Sequence, residues 1–173
     1  GGLPDGTVDS GTLATDSVTA AKLKSDAITG ADLPAGSVLQ VVNFSYSTGS
    51  SSTSTTYTDT GITLNITPSL ATSKVLVLVN VNGIYKSVAV STYMGLKLLR
   101  NTTALKTIES QVNYTGTTLQ LNPGGSGITL LDSPSTTSAT TYKIQFNNGT
   151  GTGNTGICDG GATSTITLME IGV

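Results

Sequence analysis

Lys74-Val75-Leu76-Val77-Leu78-Val79-Asn80-Val81-Asn82-Gly83 is the stretch that sets the fold class of this chain. Alternating valine and leucine favour an extended strand. An unbroken apolar run presents greasy side chains to both faces of a sheet, so both faces need cover. Such a strand belongs at the centre of a sandwich or against a neighbouring subunit. Asn82-Gly83 is a favoured two-residue hairpin turn, with Ile84 to Val90 as the expected return strand.

Outward from this run the pattern stays β. Val42, Phe44 and Tyr46 alternate with polar neighbours, as do Ile62, Leu64 and Ile66 within Tyr57 to Ile66, before Pro68. Met94–Leu99 and Ala104–Ile108 flank a turn at Arg100-Asn101-Thr102-Thr103, and Val112 to Leu121 is a further expected strand. Ile128, Leu130 and Leu131 precede Pro134; Tyr142, Ile144 and Phe146 alternate again; Thr165 to Ile171 closes the pattern. Thr48–Thr56, Asn122–Gly127 and Asn147–Gly161 are Ser-, Thr-, Gly- and Asn-rich and read as loops. The count is about eight to ten short strands spaced roughly 8–12 residues apart, which predicts an all-β fold, an antiparallel β-sandwich or jelly roll, over 37–173.

Residues 1–36 are organised differently. Leucine recurs every ten residues at Leu3, Leu13, Leu23 and Leu33. Valine or isoleucine recurs half a period later at Val8, Val18, Ile28 and Val38. A fixed short period marks a repeating rod. Two large apolar side chains per ten residues cannot offset the entropy of ordering that much backbone. Several copies wound together could share a core. A disordered linker uses the same small polar residues, but linkers do not usually keep two apolar registers through four periods. The Ala20-Ala21-Lys22-Leu23 segment permits a helical turn, so the rod is open to β or helical winding.

Charged residues make up 10% of the chain, against about a quarter in ordinary domains, and the net charge is −2. No basic patch is visible, which argues against a nucleic-acid partner. Histidine and tryptophan are absent, and Cys158 is the single cysteine, so no intrachain disulfide can form. That fits assembly in a reducing cytoplasm. No stretch is apolar for long enough to predict membrane insertion, and no signal peptide is evident.

The search for chemistry finds no catalytic set and no cofactor motif. Serine hydrolysis of the triad type needs a base, and histidine is missing. Zinc sites use mostly His and Cys. A glycosidase needs two carboxylates across a cleft; Asp59, Glu109, Asp132, Asp159 and Glu170 lie in unrelated segments. Gly124-Gly125-Ser126-Gly127 lacks the lysine and helix of a phosphate loop. Asp159-Gly160-Gly161 near Asn154 hints at calcium, but a plain turn explains it better, so no metal site is expected. Tyr57, Tyr85 and Tyr93 are the candidates for receptor contact, because tyrosine at a polar rim stacks on sugars.

Several segments resemble a head domain common in fibre and other structural proteins of tailed bacteriophages. They are Gly36-Ser37-Val38-Leu39-Gln40-Val41-Val42, Tyr57-Thr58-Asp59-Thr60-Gly61-Ile62, Ile66-Thr67-Pro68-Ser69 and Thr72-Ser73-Lys74-Val75-Leu76-Val77. Leu131-Asp132-Ser133-Pro134, Thr140-Thr141-Tyr142-Lys143-Ile144-Gln145 and Ser164-Thr165-Ile166-Thr167-Leu168-Met169-Glu170-Ile171 continue it. Val18-Thr19-Ala20-Ala21-Lys22-Leu23 and Ile28-Thr29-Gly30-Ala31-Asp32-Leu33 resemble the stalk that often precedes such heads.

The resemblance implies a homotrimer with a fibrous stalk and a globular tip of the tumour-necrosis-factor-like jelly-roll type. It supplies no catalytic residues. The expected protein is therefore a non-enzymatic phage virion fibre, assembled in the host cytoplasm and exposed on the virion surface. Its stalk, 1–36, would trimerise and join other virion proteins; its head, 37–173, would adhere to a host-cell glycan or protein. The alternative is a capsid or tail decoration fibre with a purely structural role.

Overall fold

The computed structural model describes residues 15, 18–24, 27–119 and 124–173. Leu3, Val8 and Leu13 lie outside the described residues. In the repeat, two short 3-10 turns, Ala20–Lys22 and Gly30–Asp32, sit ten residues apart and match the sequence period. Each closes on a threonine carbonyl, with Lys22 N donating to Thr19 O at 2.9 Å and Asp32 N to Thr29 O at 3.0 Å. Asp32 also accepts from the Thr29 backbone N–H at 2.8 Å and hydroxyl at 2.7 Å. Val18, Leu23, Ile28 and Leu33 are 42–58% exposed in the single chain, so both apolar registers are uncovered. Val38, the last of the series, is the first residue of the first strand.

Eleven strands follow among the described residues: β1 Val38–Tyr46, β2 Ser50–Ser52, β3 Thr58–Ile66, β4 Lys74–Asn82, β5 Tyr85–Lys86, β6 Met94–Arg100, β7 Thr103–Val112, β8 Gly125–Asp132, β9 Thr140–Asn148, β10 Thr155–Ile157 and β11 Ser164–Ile171. Two four-stranded antiparallel sheets, β1-β11-β4-β8 and β3-β9-β6-β7, face each other; a small sheet, β2-β10-β5, accompanies them. The architecture is an all-β, jelly-roll-like sandwich.

Strand alternation decides which side chains meet between the sheets. Val75, Val77, Val79 and Val81 of β4 and Ile166 and Leu168 of β11 point inward. They meet Ile62 and Ile66 of β3, Met94, Leu96 and Leu98 of β6, and Tyr142, Ile144 and Phe146 of β9. The apolar β4 run is thus a central strand, as expected, but its outer leucines, Leu76 and Leu78, are only half-buried in the single chain.

The Asn82-Gly83 hairpin does not form. Both flanks of β4 are already taken by β11 and β8, so the chain leaves the sheet and β5 pairs with β10 instead. Gly83 carries a φ of 62°, and a Cβ there would fall 2.6 Å from the Asp159 backbone nitrogen, so the glycine serves a close backbone approach. Cys158 N and Asp159 N donate to the Asn82 and Gly83 carbonyls at 2.9 and 3.0 Å. All three expected loops also contain strand residues: β2 within Thr48–Thr56, the start of β8 at Gly125 within Asn122–Gly127, and the end of β9 and all of β10 within Asn147–Gly161. The further strand expected from Val112 to Leu121 does not form over the described residues 113–119; β7, expected as Ala104–Ile108, instead runs from Thr103 to Val112.

Both termini of the head lie at one end. Gly36 N donates to Gly172 O at 2.7 Å and Gly172 N to Ser37 O at 2.9 Å. Two polar knots close this proximal end. In one, Asp132 accepts Arg100 Nη1 on both oxygens, at 2.9 and 2.8 Å, and the Tyr142 hydroxyl at 2.7 Å, tying β8 to β6 and β9 across the sandwich. Burial and the adjacent carboxylate push the Tyr142 hydroxyl far above its ordinary pKa, keeping it a donor. In the other, the wholly buried Glu170 accepts Gln40 Nε2 at 2.6 Å, and the Ser69 backbone N–H and hydroxyl, each at 2.8 Å.

Burial alone would raise the pKa of Glu170, but the donors from Gln40 and Ser69 outweigh it and hold the carboxyl below the ordinary value of 4.5. A carboxylate with a depressed folded pKa contributes stability that is complete above its unfolded value and is lost as pH falls through the folded one. Glu170→Gln should therefore cost about 2 kcal/mol in urea unfolding at neutral pH. The gap between wild type and variant should narrow as pH is lowered from 4.5. A gap independent of pH would contradict this account.

Candidate functional site

In an antiparallel sandwich whose termini share one end, the connections segregate strictly. The chain turns at 67–73, 101–102 and 133–139 beside the proximal end. Among the described residues it turns at 47–57, 83–93, 113–119 and 149–163 at the other, distal end, where the small β2-β10-β5 sheet also sits. The three loops singled out by composition therefore share the distal end, as far as they fall on described residues.

The candidate tyrosines are there too, but they divide. Tyr57 and Tyr93 are neighbours, and burial together with the nearby Tyr93 raises the pKa of the Tyr57 hydroxyl. Lys97 Nζ lies over the Tyr57 ring, 4.0 Å from its centroid. Tyr93 meets Tyr114 edge-on with ring centroids 6.3 Å apart. Tyr114 is 57% exposed and was not among the candidates, because it falls in the stretch expected to be a strand. Tyr85 lies elsewhere, on β5, its ring packed over Gly156 of β10.

One buried side chain shapes this surface. Asn148, at the end of β9, is wholly buried. Its oxygen accepts the Thr92 hydroxyl at 2.6 Å and the backbone N–H groups of Thr150 and Gly151 at 3.2 and 3.0 Å. Its nitrogen donates to the Thr152 and Gly153 carbonyls, both at 3.2 Å. The amide thus fills its hydrogen-bonding capacity by folding the next five residues around itself. Gly149 lies under Tyr93, where a Cβ would come 1.9 Å from the ring, so only glycine admits this seat for Tyr93. The composition of the loop signals a turn but not that Asn148 is its centre.

Lys86 adds a second anchor. It is wholly buried, and its Nζ donates to the Val90 carbonyl at 2.9 Å and the Gly116 carbonyl at 2.8 Å. It ties the loop before β6 to the loop after β7.

A second surface is the outer face of the β1-β11-β4-β8 sheet. Val41, Met169, Leu76 and Leu131 form one row straight across all four strands. Beside it runs Asn43-Thr167-Leu78-Thr129, then Ser45-Thr165-Asn80-Gly127. Leu78, Asn80, Gly127, Thr129, Thr165 and Thr167 line a shallow depression of about 410 Å³. None of these positions is charged. The outer face of the opposite sheet differs: Lys143 pairs with Asp59 at 2.9 Å, and Lys97 lies there as well.

Four of the acidic residues among the described ones are engaged separately. Asp132 and Glu170 are held in the proximal knots, Asp59 is taken by Lys143 and Gln145, and Glu109 accepts the Ser126 hydroxyl at 2.8 Å. Among the described residues no three His, Cys, Asp or Glu side chains come together around a metal position, and no helix is long and apolar enough to cross a membrane. Asp159–Gly161 forms a 3-10 turn. Cys158 is buried, with its thiol 3.3 Å from the Ser164 hydroxyl. No family model and no curated protein matches this chain.

Asn148→Ala should remove the centre of the distal loop while leaving the sandwich strands paired. The expected result is a stability loss of about 2 kcal/mol, with amide hydrogen exchange at Thr150 and Gly151 accelerated by about tenfold or more. Exchange rates at those two amides equal to wild type would show that the loop holds without it.

Proposed function

We propose that this chain is a non-enzymatic virion fibre protein of a tailed phage, a homotrimer that displays a jelly-roll head of the tumour-necrosis-factor-like type for adhesion to a host-cell surface. The observation that carries the reading is the polarity of the head. The repeat leads into the proximal end, and the loops, the small sheet and the Tyr57-Tyr93-Tyr114 group gather at the opposite end. A display module needs this separation of attachment from contact surface.

Two uncovered surfaces support a trimer. Leu23, Ile28 and Leu33 are exposed in the single chain, and burying such residues against copies of the same repeat removes apolar area from water. The outer face of the β1-β11-β4-β8 sheet carries an unbroken apolar row, with Lys74 the one charged side chain of β4 on that face, at its proximal edge. The repeat runs directly into β1, an edge strand of that sheet. Interface centres are depleted in charge in the same way. The stalk would also join the head to other virion proteins, and three copies of one weak distal site would gain avidity of about 10²–10⁴-fold.

Analytical ultracentrifugation of the full chain should give a trimer, and deletion of 1–36 should weaken it without unfolding the head. Leu131→Asp, at a half-exposed position on the outer row, should raise the dissociation midpoint by about tenfold or more, equivalent to about 1.4 kcal/mol. A monomer with the stalk intact would overturn the assembly. For adhesion, the purified chain should bind host cells saturably and block infection. Absence of binding, with many copies found on the capsid, would point to a decoration role instead.

A further inference from the structure

Beside Tyr114, at the distal end, lies a cavity of about 330 Å³ bounded by Ile84, Gln111, Val112, Asn113, Tyr114 and Gly124. That volume falls in the range of about 300–1,000 Å³ typical of small-molecule sites. Asn113 has a feature no other amide among the described residues shares: both its Oδ1 and its Nδ2 are buried without a hydrogen-bond partner. Buried polar groups are nearly always satisfied, so an orphaned amide at a cavity wall requires an explanation. The other orphans, Ser73 and Thr155, are single hydroxyls and line no cavity described above.

We propose that this cavity binds one ring of an uncharged saccharide, stacked on Tyr114 and hydrogen-bonded through vicinal hydroxyls to Asn113 and Gln111. An amide offers one acceptor and two donors side by side, and adjacent sugar hydroxyls present the complementary pair. The broad χ2 torsion of asparagine lets the amide turn toward a ligand. Tyr114 supplies an exposed aromatic ring for the C–H face of a sugar, while Ile84 and Val112 supply the apolar floor.

The charges nearby are already engaged: Glu109 accepts the Ser126 hydroxyl, and Lys86 is held by the Val90 and Gly116 carbonyls. Neither lines the cavity, which leaves no fixed charge there to select an anionic or cationic ligand. The inference rests on the adhesion reading for its biological meaning, but its test does not.

Saturation-transfer NMR on the full chain, with glucose, galactose, mannose, N-acetylglucosamine and N-acetylgalactosamine as separate probes, should show transfer to the ring protons of at least one. Tyr114→Ala should abolish it. So should Asn113→Gly, which suits the residue's φ of 71° while removing the amide. Lys143→Ala, on the outer face of the β3-β9-β6-β7 sheet, should leave it intact. No transfer from any probe to folded wild-type protein, transfer that survives both cavity variants, or binding confined to charged sugars would overturn the proposal. Host-cell binding by the same proteins separates the two readings. Adhesion unaffected by Asn113→Gly leaves the fibre reading standing without this site, and sugar binding without adhesion does the reverse.

Discussion

The packing of Val75, Val77, Val79 and Val81 against the opposite sheet is the interaction on which the rest of the head depends. A strand shows alternate residues to opposite faces, and a slip of one residue would exchange them all. Once these valines point inward, β11 on one side and β8 on the other are indexed to β4 residue by residue. Leu76 and Leu78 then face outward by necessity, and Met169, Val41 and Leu131 line up with Leu76. The apolar outer row is therefore a consequence of the core register, and changing one changes the other.

The same connectivity divides the labour between the two ends. The proximal end is closed by charged groups with dense hydrogen bonding, Asp132 with Arg100 and Tyr142, and Glu170 with Gln40 and Ser69. The distal end is organised by a neutral amide, Asn148, and by a lysine held on carbonyls alone. Charge-assisted hydrogen bonds are the stronger kind; at the proximal end they join charged or polar side chains of several strands, and at the distal end Lys86 makes them to the carbonyls of two long connections.

Much of the fold was legible in the sequence because period-two alternation is a local signal. It located β1, β3, β6, β9 and the last strand to within a few residues and picked out the core positions of β9; β4 was located by its unbroken apolar run, which did not say which of its two faces is the core. The small strands β2 and β10 were not legible, and β5 was legible only as part of a longer return strand, Ile84 to Val90. Ser50–Ser52 and Thr155–Ile157 carry little apolar pattern, and each is a strand only because a distant segment pairs with it. Asn82-Gly83 misled for a related reason: the turn chemistry was right, but the neighbouring positions in the sheet were already occupied. At the candidate site, Tyr57 and Tyr93 were found by residue type. Tyr114, Asn113 and Asn148 were missed because their importance comes from partners, or from the lack of them, far along the chain.

The pairing of β1 with β11 has a mechanical consequence. Tension applied through residues 1–36 would enter the sandwich through Gly36 and Val38. There the chain is hydrogen-bonded to Gly172, and β1 runs antiparallel to β11 from Val38↔Ile171 to Tyr46↔Ser164. A pull along β1 shears this ladder lengthwise, so its hydrogen bonds bear the force together and do not open one after another. The strand that follows the repeat is thereby also the clamp that would resist its extraction from the sandwich.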